Sequence, residues 1–219
     1  MLNNENVLTI NDTKKMSMFF GKVYGLLSLA ILSSALVSLW VVKTTPHFVY
    51  AHPVIMGLLF FGAFFLARST AVVPVINFVT LLLFSGFNGL LLGPTLSIYL
   101  HASWGPAVVA QALLTTFVIS VSLSGYVLVS KKSFSFMGDF LFTGLVAGLV
   151  ALFVQIFWHP PIFREILSTL MVLLFSGFIL YDTSNARENW EKLNPLDVVI
   201  SLFLDMDNMF LNLLQLMRD

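Results

Sequence analysis

Residues 69–130, STAVVPVINFVTLLLFSGFNGLLLGPTLSIYLHASWGPAVVAQALLTTFVISVSLSGYVLVS, run without a single Asp, Glu, Lys or Arg. A water-soluble domain draws about a quarter of its residues from those four types and spreads them over its surface. This stretch cannot make such a surface, and it is long enough for roughly two to three bilayer crossings at about 20 residues each. The rest of the 219-residue chain agrees with it. Apolar residues make up 58%, aromatic residues 14% and charged residues 10%, and the mean hydropathy is +0.93. The chain reads as an integral membrane protein whose first partner is the lipid bilayer.

Working outward, seven apolar runs separate at about 23–42, 53–67, 74–99, 106–129, 138–158, 163–183 and 196–217. Each has about the length of a spanning helix; the second is short and needs flanking residues or a thin bilayer. Solid apolar runs exclude a barrel, whose strands alternate apolar and polar positions. The expected fold class is an all-α bundle of seven transmembrane helices over residues 19–219. A polar segment, residues 1–18 with Asn3, Asn4, Glu5, Asn6, Asp12, Lys14 and Lys15, precedes it. It has neither the apolar core of a secretory signal nor the Arg-rich, acid-poor character of an organellar presequence. It reads as a soluble tail, an interaction handle.

With seven spans, Lys14, Lys15, Lys22, Arg68, Lys131, Lys132, Arg187 and Lys192 fall on one side and Lys43, Arg164 and Arg218 on the other. The excess of basic residues puts the N-terminus in the cytoplasm and the C-terminus outside. Trp40, Trp104 and Trp158 then lie at the outer interface and Trp190 at the inner one. Gly89 and Gly93 on the third span, and Gly144 and Gly148 on the fifth, have the four-residue spacing that lets helix backbones approach closely. Leu-Leu-Phe-Ser-Gly-Phe occurs at 82–87 and again at 173–178. Either an inverted repeat offset by three spans or coincidence in a chain rich in Leu and Phe accounts for it.

Composition excludes several classes. Eleven basic and eleven acidic residues leave no net charge and no basic cluster, so nucleic acid is not a partner. With no cysteine there are no disulfides, thiolate nucleophiles, iron–sulfur clusters or Cys-based zinc sites. No cofactor is called for. The chemistry must come from carboxyls, imidazoles and backbone.

Ionisable groups inside a bilayer cost several kcal/mol each and normally face the bundle interior, which makes them functional candidates. Asp182 lies near the end of the sixth span, Asp205 and Asp207 lie near the middle of the seventh, and Arg68 closes the second. At 100° per residue, Ser201, Asp205, Asn208, Asn212 and Gln215 form one polar stripe that must face protein or water. Asp207 is about 200° from Asp205 and points elsewhere; packing or an internal hydrogen bond is its expected role.

Asn194 and Pro195 read as the N-cap and first-turn proline of the seventh span, which puts Asp205 about 15 Å into that helix. Asp182 lies about 10 Å before a helix end near Asn189. The two carboxyls can therefore meet at similar depth. If they do, desolvation and mutual repulsion make them share one proton and titrate as a unit. Taken alone, such a pair closes into a hydrogen bond when protonated, and repels and seeks a cation when ionised. The alternative is that Asp182 solvates a helix end and Asp205 bonds within the Asn stripe. Arg68 is either a positive-inside anchor or a counter-charge to the pair. His47, His52, His101 and His159 all fall on the outer side, as interfacial residues or, alternatively, a metal site or pH sensor.

Ile179-Leu180-Tyr181-Asp182-Thr183, then Ser201-Leu202-Phe203-Leu204-Asp205 and Asn208-Met209-Phe210-Leu211-Asn212-Leu213-Leu214, resemble the Bax inhibitor-1 family in its bacterial YccA-like branch. Leu92-Gly93-Pro94 with Tyr99, and Lys131-Lys132-Ser133-Phe134-Ser135-Phe136, are similar to the same family, and the likeness runs from about Phe19 onward. The resemblance implies a seven-helix bundle around one central helix in the bacterial inner membrane. It also implies a pH-sensitive calcium leak governed by two aspartates, here Asp182 and Asp205, with Ca²⁺ as permeant or bound ion. An arginine on the second helix holds the closed state in that family, and Arg68 is the nearest match. Members also modulate the membrane protease FtsH through the cytoplasmic tail. Asp207 departs from the pattern, which usually has an apolar residue there.

Three functions therefore compete. The first is a proton-gated cation leak in which Asp182 and Asp205 bind Ca²⁺ or a proton, hard oxygen ligands suiting calcium. Deprotonation would load or open it. The second is a regulatory protein that binds FtsH or another membrane partner. The third, an intramembrane aspartyl protease, needs Gly-x-Gly before its second Asp, whereas Phe203 and Leu204 precede Asp205 here. The chain is expected not to be an enzyme.

Overall fold

A computed structural model describes residues 10–69, 74–130, 132–157 and 160–218. Asn3, Asn4, Glu5, Asn6, Lys131, Trp158 and His159 lie outside the described residues. The described chain is helical: α1 Ile10–Thr44, α2 His47–Ala51, α3 Pro53–Ser69, α4 Pro74–Leu100, α5 Gly105–Ser130, a short 3₁₀ turn at Ser135–Met137, α6 Gly138–Phe157, α7 Pro161–Glu188 and α8 Pro195–Leu216. The seven apolar runs correspond to α1 and α3 through α8. Five of them, α1, α4, α5, α6 and α7, are long and apolar enough to cross a membrane, while α3 is apolar but shorter. The chain is a multi-pass, all-helical membrane protein.

Two local features differ from the sequence reading. α1 begins at Ile10, so residues 10–18 of the expected soluble tail are helical and continuous with the first apolar run. Asp12 lies in that first turn, where a carboxylate complements the helix dipole. α2 is a five-residue helix between Pro46 and His52, too short to leave a periodic signal.

α8 is the inner helix, packed by α1, α4, α5 and α7. It carries three carboxylates, Asp197, Asp205 and Asp207, because its surroundings are protein rather than lipid. Leu196, Val199, Ile200, Leu202, Phe203, Met209 and Leu214 are buried on it, and Phe203 meets the Phe84 ring of α4 edge-on at 5.4 Å. Lipid-facing positions such as Leu58, Phe65, Phe140 and Phe153 are exposed in the isolated chain. Exposure of this kind is what a bilayer would cover.

Helix approach depends on glycine where two backbones come together. A Cβ added at Gly89 would lie 2.5 Å from the Ser34 carbonyl oxygen and 2.8 Å from Val37 Cβ, and one at Gly93 would strike Val41. Both glycines therefore let α4 lie against α1, and Gly144 and Gly148 seat Leu174 and Met171 of α7 in the same way. At the opposite end of the bundle from α2, the α5–α6 connection is tied to α7. The Phe134 amide donates to Ser184 Oγ (2.9 Å), and Arg187 donates to the carbonyls of Val127 (2.7 Å) and Lys132 (3.0 Å).

Gly89→Leu is expected to weaken the α1–α4 packing by about 1–3 kcal/mol, the usual cost of overfilling a packed site. Thermal unfolding in detergent measures this. Gly62→Ala, where an added methyl meets open space and alanine favours the helix, should not lower the midpoint.

A carboxyl pair at the α7–α8 interface

The helix ends that set the depth of the two aspartates are built as their local residues dictate. Asn194 caps α8, its side-chain oxygen accepting from the Leu196 amide at 2.9 Å, and Pro195 occupies the first turn, where its missing N–H costs nothing. α7 closes at Glu188 with Asn189 as its C-cap. Counting from these ends, Asp205 and Asp182 stand about 15 Å and 10 Å into their helices.

The fold brings them together. The two carboxyls lie within hydrogen-bonding reach of each other across the α7–α8 interface. Asp205 is only 5% exposed, and its Oδ2 receives no N–H or O–H donor among the described residues. Two carboxyls at that distance repel strongly when both are ionised, and a proton held between them relieves the repulsion.

Arg68, in the last turn of α3, supplies the nearest positive charge. Its guanidinium acts electrostatically on Asp182 and makes its ion pair with Asp197 of α8, Nε to Oδ1 at 3.7 Å. It also lies over the Phe64 ring, 5.4 Å from the centroid. Both members of the ion pair are partly exposed, at 46% and 37% of their side chains, so the bond is worth on the order of 0–1 kcal/mol. Its consequence is positional: it joins the end of α3 to the first turn of α8 beside the carboxyl pair. Asp197 is the site residue that the sequence reading missed. An acid in the first turn of a helix reads as a complement to the dipole, and only the inter-helix register shows its basic partner.

The polar stripe on α8 does not donate to the pair. Asn208 Nδ2 donates to the Leu204 carbonyl (2.7 Å) and Asn212 Nδ2 to the Asn208 carbonyl (2.8 Å), each bonding its own helix four residues back. Ser201, Asn208, Asn212 and Gln215 are half-buried. Asp207 faces away from the pair, and its Oδ1 accepts from Asn88 Nδ2 of α4 at 3.0 Å. That is an internal hydrogen bond, as expected of it. His47 and His52 belong to α2 and its C-cap, and His101 Nδ1 lies 2.7 Å from the Ser97 carbonyl, so the described histidines stay at the far end.

Among the described residues no three His, Asp or Glu side chains gather as a metal-binding cluster. A calcium ion at the pair would have two carboxyls from Asp182 and Asp205 and would take most of its six to eight oxygens from water or backbone. As built, the site can hold a proton between two carboxyls or offer them to a cation when ionised, with Arg68 acting electrostatically on Asp182.

Comparison with known proteins agrees with this architecture. The sequence model of the family described as inhibitor of apoptosis-promoting Bax1 matches residues 16–219. An uncharacterized membrane protein of Vibrio cholerae is 35% identical over 194 residues, covering 89% of this chain and 86% of its own. The modulator of FtsH protease YccA of Escherichia coli is 35% identical over 157 residues, 72% of this chain and 70% of its own. Protein lifeguard 4 of the mouse is 31% identical over 169 residues, 77% of this chain and 60% of its own. A match across nearly the whole chain, including both helices that carry the carboxyl pair, means that this protein belongs to the Bax inhibitor-1 family.

Proposed function

We propose that the protein is a pH-sensitive cation leak of the inner membrane, permeable to Ca²⁺, in which Asp182 and Asp205 are the gate and Arg68 is the latch. In this reading α1 and α3 through α8 cross the bilayer seven times with the N-terminus in the cytoplasm, and the protein has no enzymatic activity. The observation that carries it is the meeting of two carboxyls at the α7–α8 interface, with a guanidinium on a third helix that acts on Asp182 and pairs with Asp197. A group this costly to bury is normally retained for ion or proton handling.

The position of Arg68 reverses the sign expected of the pair alone. With one shared proton the pair carries one negative charge, and that charge together with Asp197 holds Arg68 and α3 against α7 and α8. Binding a second proton neutralises the pair, weakens its attraction for Arg68 and frees α3 to move. Flux should therefore rise as pH falls. In proteoliposomes, Ca²⁺ flux through wild type should increase on acidification, whereas Asp182→Asn and Asp205→Asn should each abolish that dependence. Equal impermeability of all three proteins, or unaltered pH dependence in both variants, contradicts the reading.

The latch makes its own prediction. Arg68→Ala should raise the leak at neutral pH several-fold toward the acid level, and Asp197→Asn should do so to a smaller extent because the ion pair with Arg68 is partly exposed. A leak lowered by Arg68→Ala would contradict the assignment.

A second reading is favoured by the name of one relative, the modulator of FtsH protease YccA. The protein would then bind FtsH, with the segment before α1 as the contact. Co-purification of the full chain with FtsH from bacterial membranes, lost on deleting residues 1–9, supports this role. Retention after deletion places any contact elsewhere.

A further inference from the structure

Asp207 is not used by the gate, yet it is a half-buried carboxyl inside a membrane bundle. On the face of α8 turned away from the carboxyl pair, a cavity of about 450 Å³ lies among α1, α4, α5 and α8, and Asp207 is in its wall. Leu39, Leu96, Leu113, Phe117 and Phe210 supply apolar wall around it. The hydroxyls that border the cavity are largely engaged: Ser38 donates to the Ala35 carbonyl (2.9 Å) and Thr116 to the Ala112 carbonyl (2.8 Å). Asn88 Nδ2 is shared between Ser34 Oγ (3.2 Å) and Asp207 Oδ1 (3.0 Å), which fixes the carboxyl in place with a single side-chain amide.

The cavity opens toward lipid. α1 packs mainly on α4 and α8, and α5 on α7, α8 and α4, so these two helices flank a lateral gap. Leu39, Leu113 and Phe117 at its rim are 45%, 53% and 58% exposed. A cavity of this size, apolar except for one carboxyl and three hydroxyls that already bond within the protein, has the character of a small-molecule site.

We propose that this cavity binds a lipophilic amine that enters from the bilayer between α1 and α5, its head group on Asp207 and its hydrocarbon along α1 and α5. An amine and a carboxyl that share one proton form a pair of zero net charge whichever holds it, so the occupied site leaves no uncompensated charge in the bundle. A hydrated metal ion would instead meet hydrocarbon on most sides, where few of its oxygen ligands could be replaced. A fatty acid would set a second carboxyl against Asp207. A long-chain alcohol would fit the walls but would make only a neutral hydrogen bond, weaker than a charge-assisted one.

The test is photolabelling of the full chain in detergent with a diazirine-bearing long-chain primary amine and with the alcohol of the same chain. The amine should label peptides of α1, α5 and α8 about tenfold more than the alcohol, the ratio expected of a charge-assisted over a neutral hydrogen bond. Asp207→Asn, which keeps the side-chain shape, should bring that ratio close to one. Leu113→Trp, at the exposed rim and away from the carboxyl, should reduce labelling by both probes. Asp182→Asn should leave the ratio unchanged, which separates this site from the gate. Equal labelling by amine and alcohol in wild type, a ratio that survives Asp207→Asn, or labelling confined to the lipid-facing surfaces of α3 and α6 would overturn the proposal. If Asp207→Asn fails to fold, the wild-type amine-to-alcohol ratio, read together with the loss of α1, α5 and α8 labelling in Leu113→Trp, still decides it.

Discussion

Two carboxyls within hydrogen-bonding reach of each other at a helix interface, one of them buried, cannot both be ionised without strong repulsion, and the packing around α7 and α8 sets them in that position. Asp205 is buried, its Oδ2 has no donor among the described residues, and its neighbour is the Asp182 carboxyl. The close α7–α8 packing aligns them, and the cap at Asn194 and the closure of α7 at Asn189 set their matching depth. Surrounding helices take the place of lipid, so that α8 can carry acids that a lipid-facing helix could not carry cheaply. In the proposed function a proton held between the carboxyls sets the charge of the interface, and so what the interface attracts.

Arg68 links that local chemistry to the arrangement of helices. Its ion pair with Asp197 is too exposed to stabilise the bundle much. What it supplies is a charge on α3 that interacts with two groups on two other helices. α3 is the shortest of the helices that match the apolar runs and packs chiefly on α4. A weak, charge-dependent attachment at one end of a short helix is the element on which the proposed two-state change depends, because it can be released without breaking the core. The α4–α1 contact through Gly89 and Gly93 and the ties of Arg187 to the α5–α6 connection are independent of that charge.

Much of this was legible in the residues. Solid apolar runs locate the long helices to within a few positions, except at α1, and the glycine spacings on α4 and α6 mark real close approaches. Asn194, Pro195 and Asn189 act through local backbone chemistry, so the depth of Asp182 and Asp205 could be counted from them. The angle between Asp205 and Asp207 likewise follows from helical periodicity alone. Neither the partner of Arg68 nor that of Asp207 could be read this way, because Asp197 and Asn88 are brought to them by the register between helices far apart in sequence. The Asn208 and Asn212 amides also escaped the pattern: a polar stripe implies polar surroundings, whereas these side chains bond their own helix. At α1 the polar composition of residues 10–18 hid a helix that simply continues past the apolar run.

The central claim is that Asp182 and Asp205 share a proton and titrate as one unit. Infrared difference spectroscopy of the purified protein across a pH titration reads protonated carboxyls directly through their C=O stretch, with Asp207→Asn as the background to remove the third carboxyl inside the bundle. The account predicts that Asp182→Asn shifts the titration of the Asp205 carboxyl that remains, and Asp205→Asn that of Asp182, so that the wild-type curve is not the sum of the two single-acid curves. A wild-type curve equal to that sum would mean that the two acids titrate independently, and would contradict it.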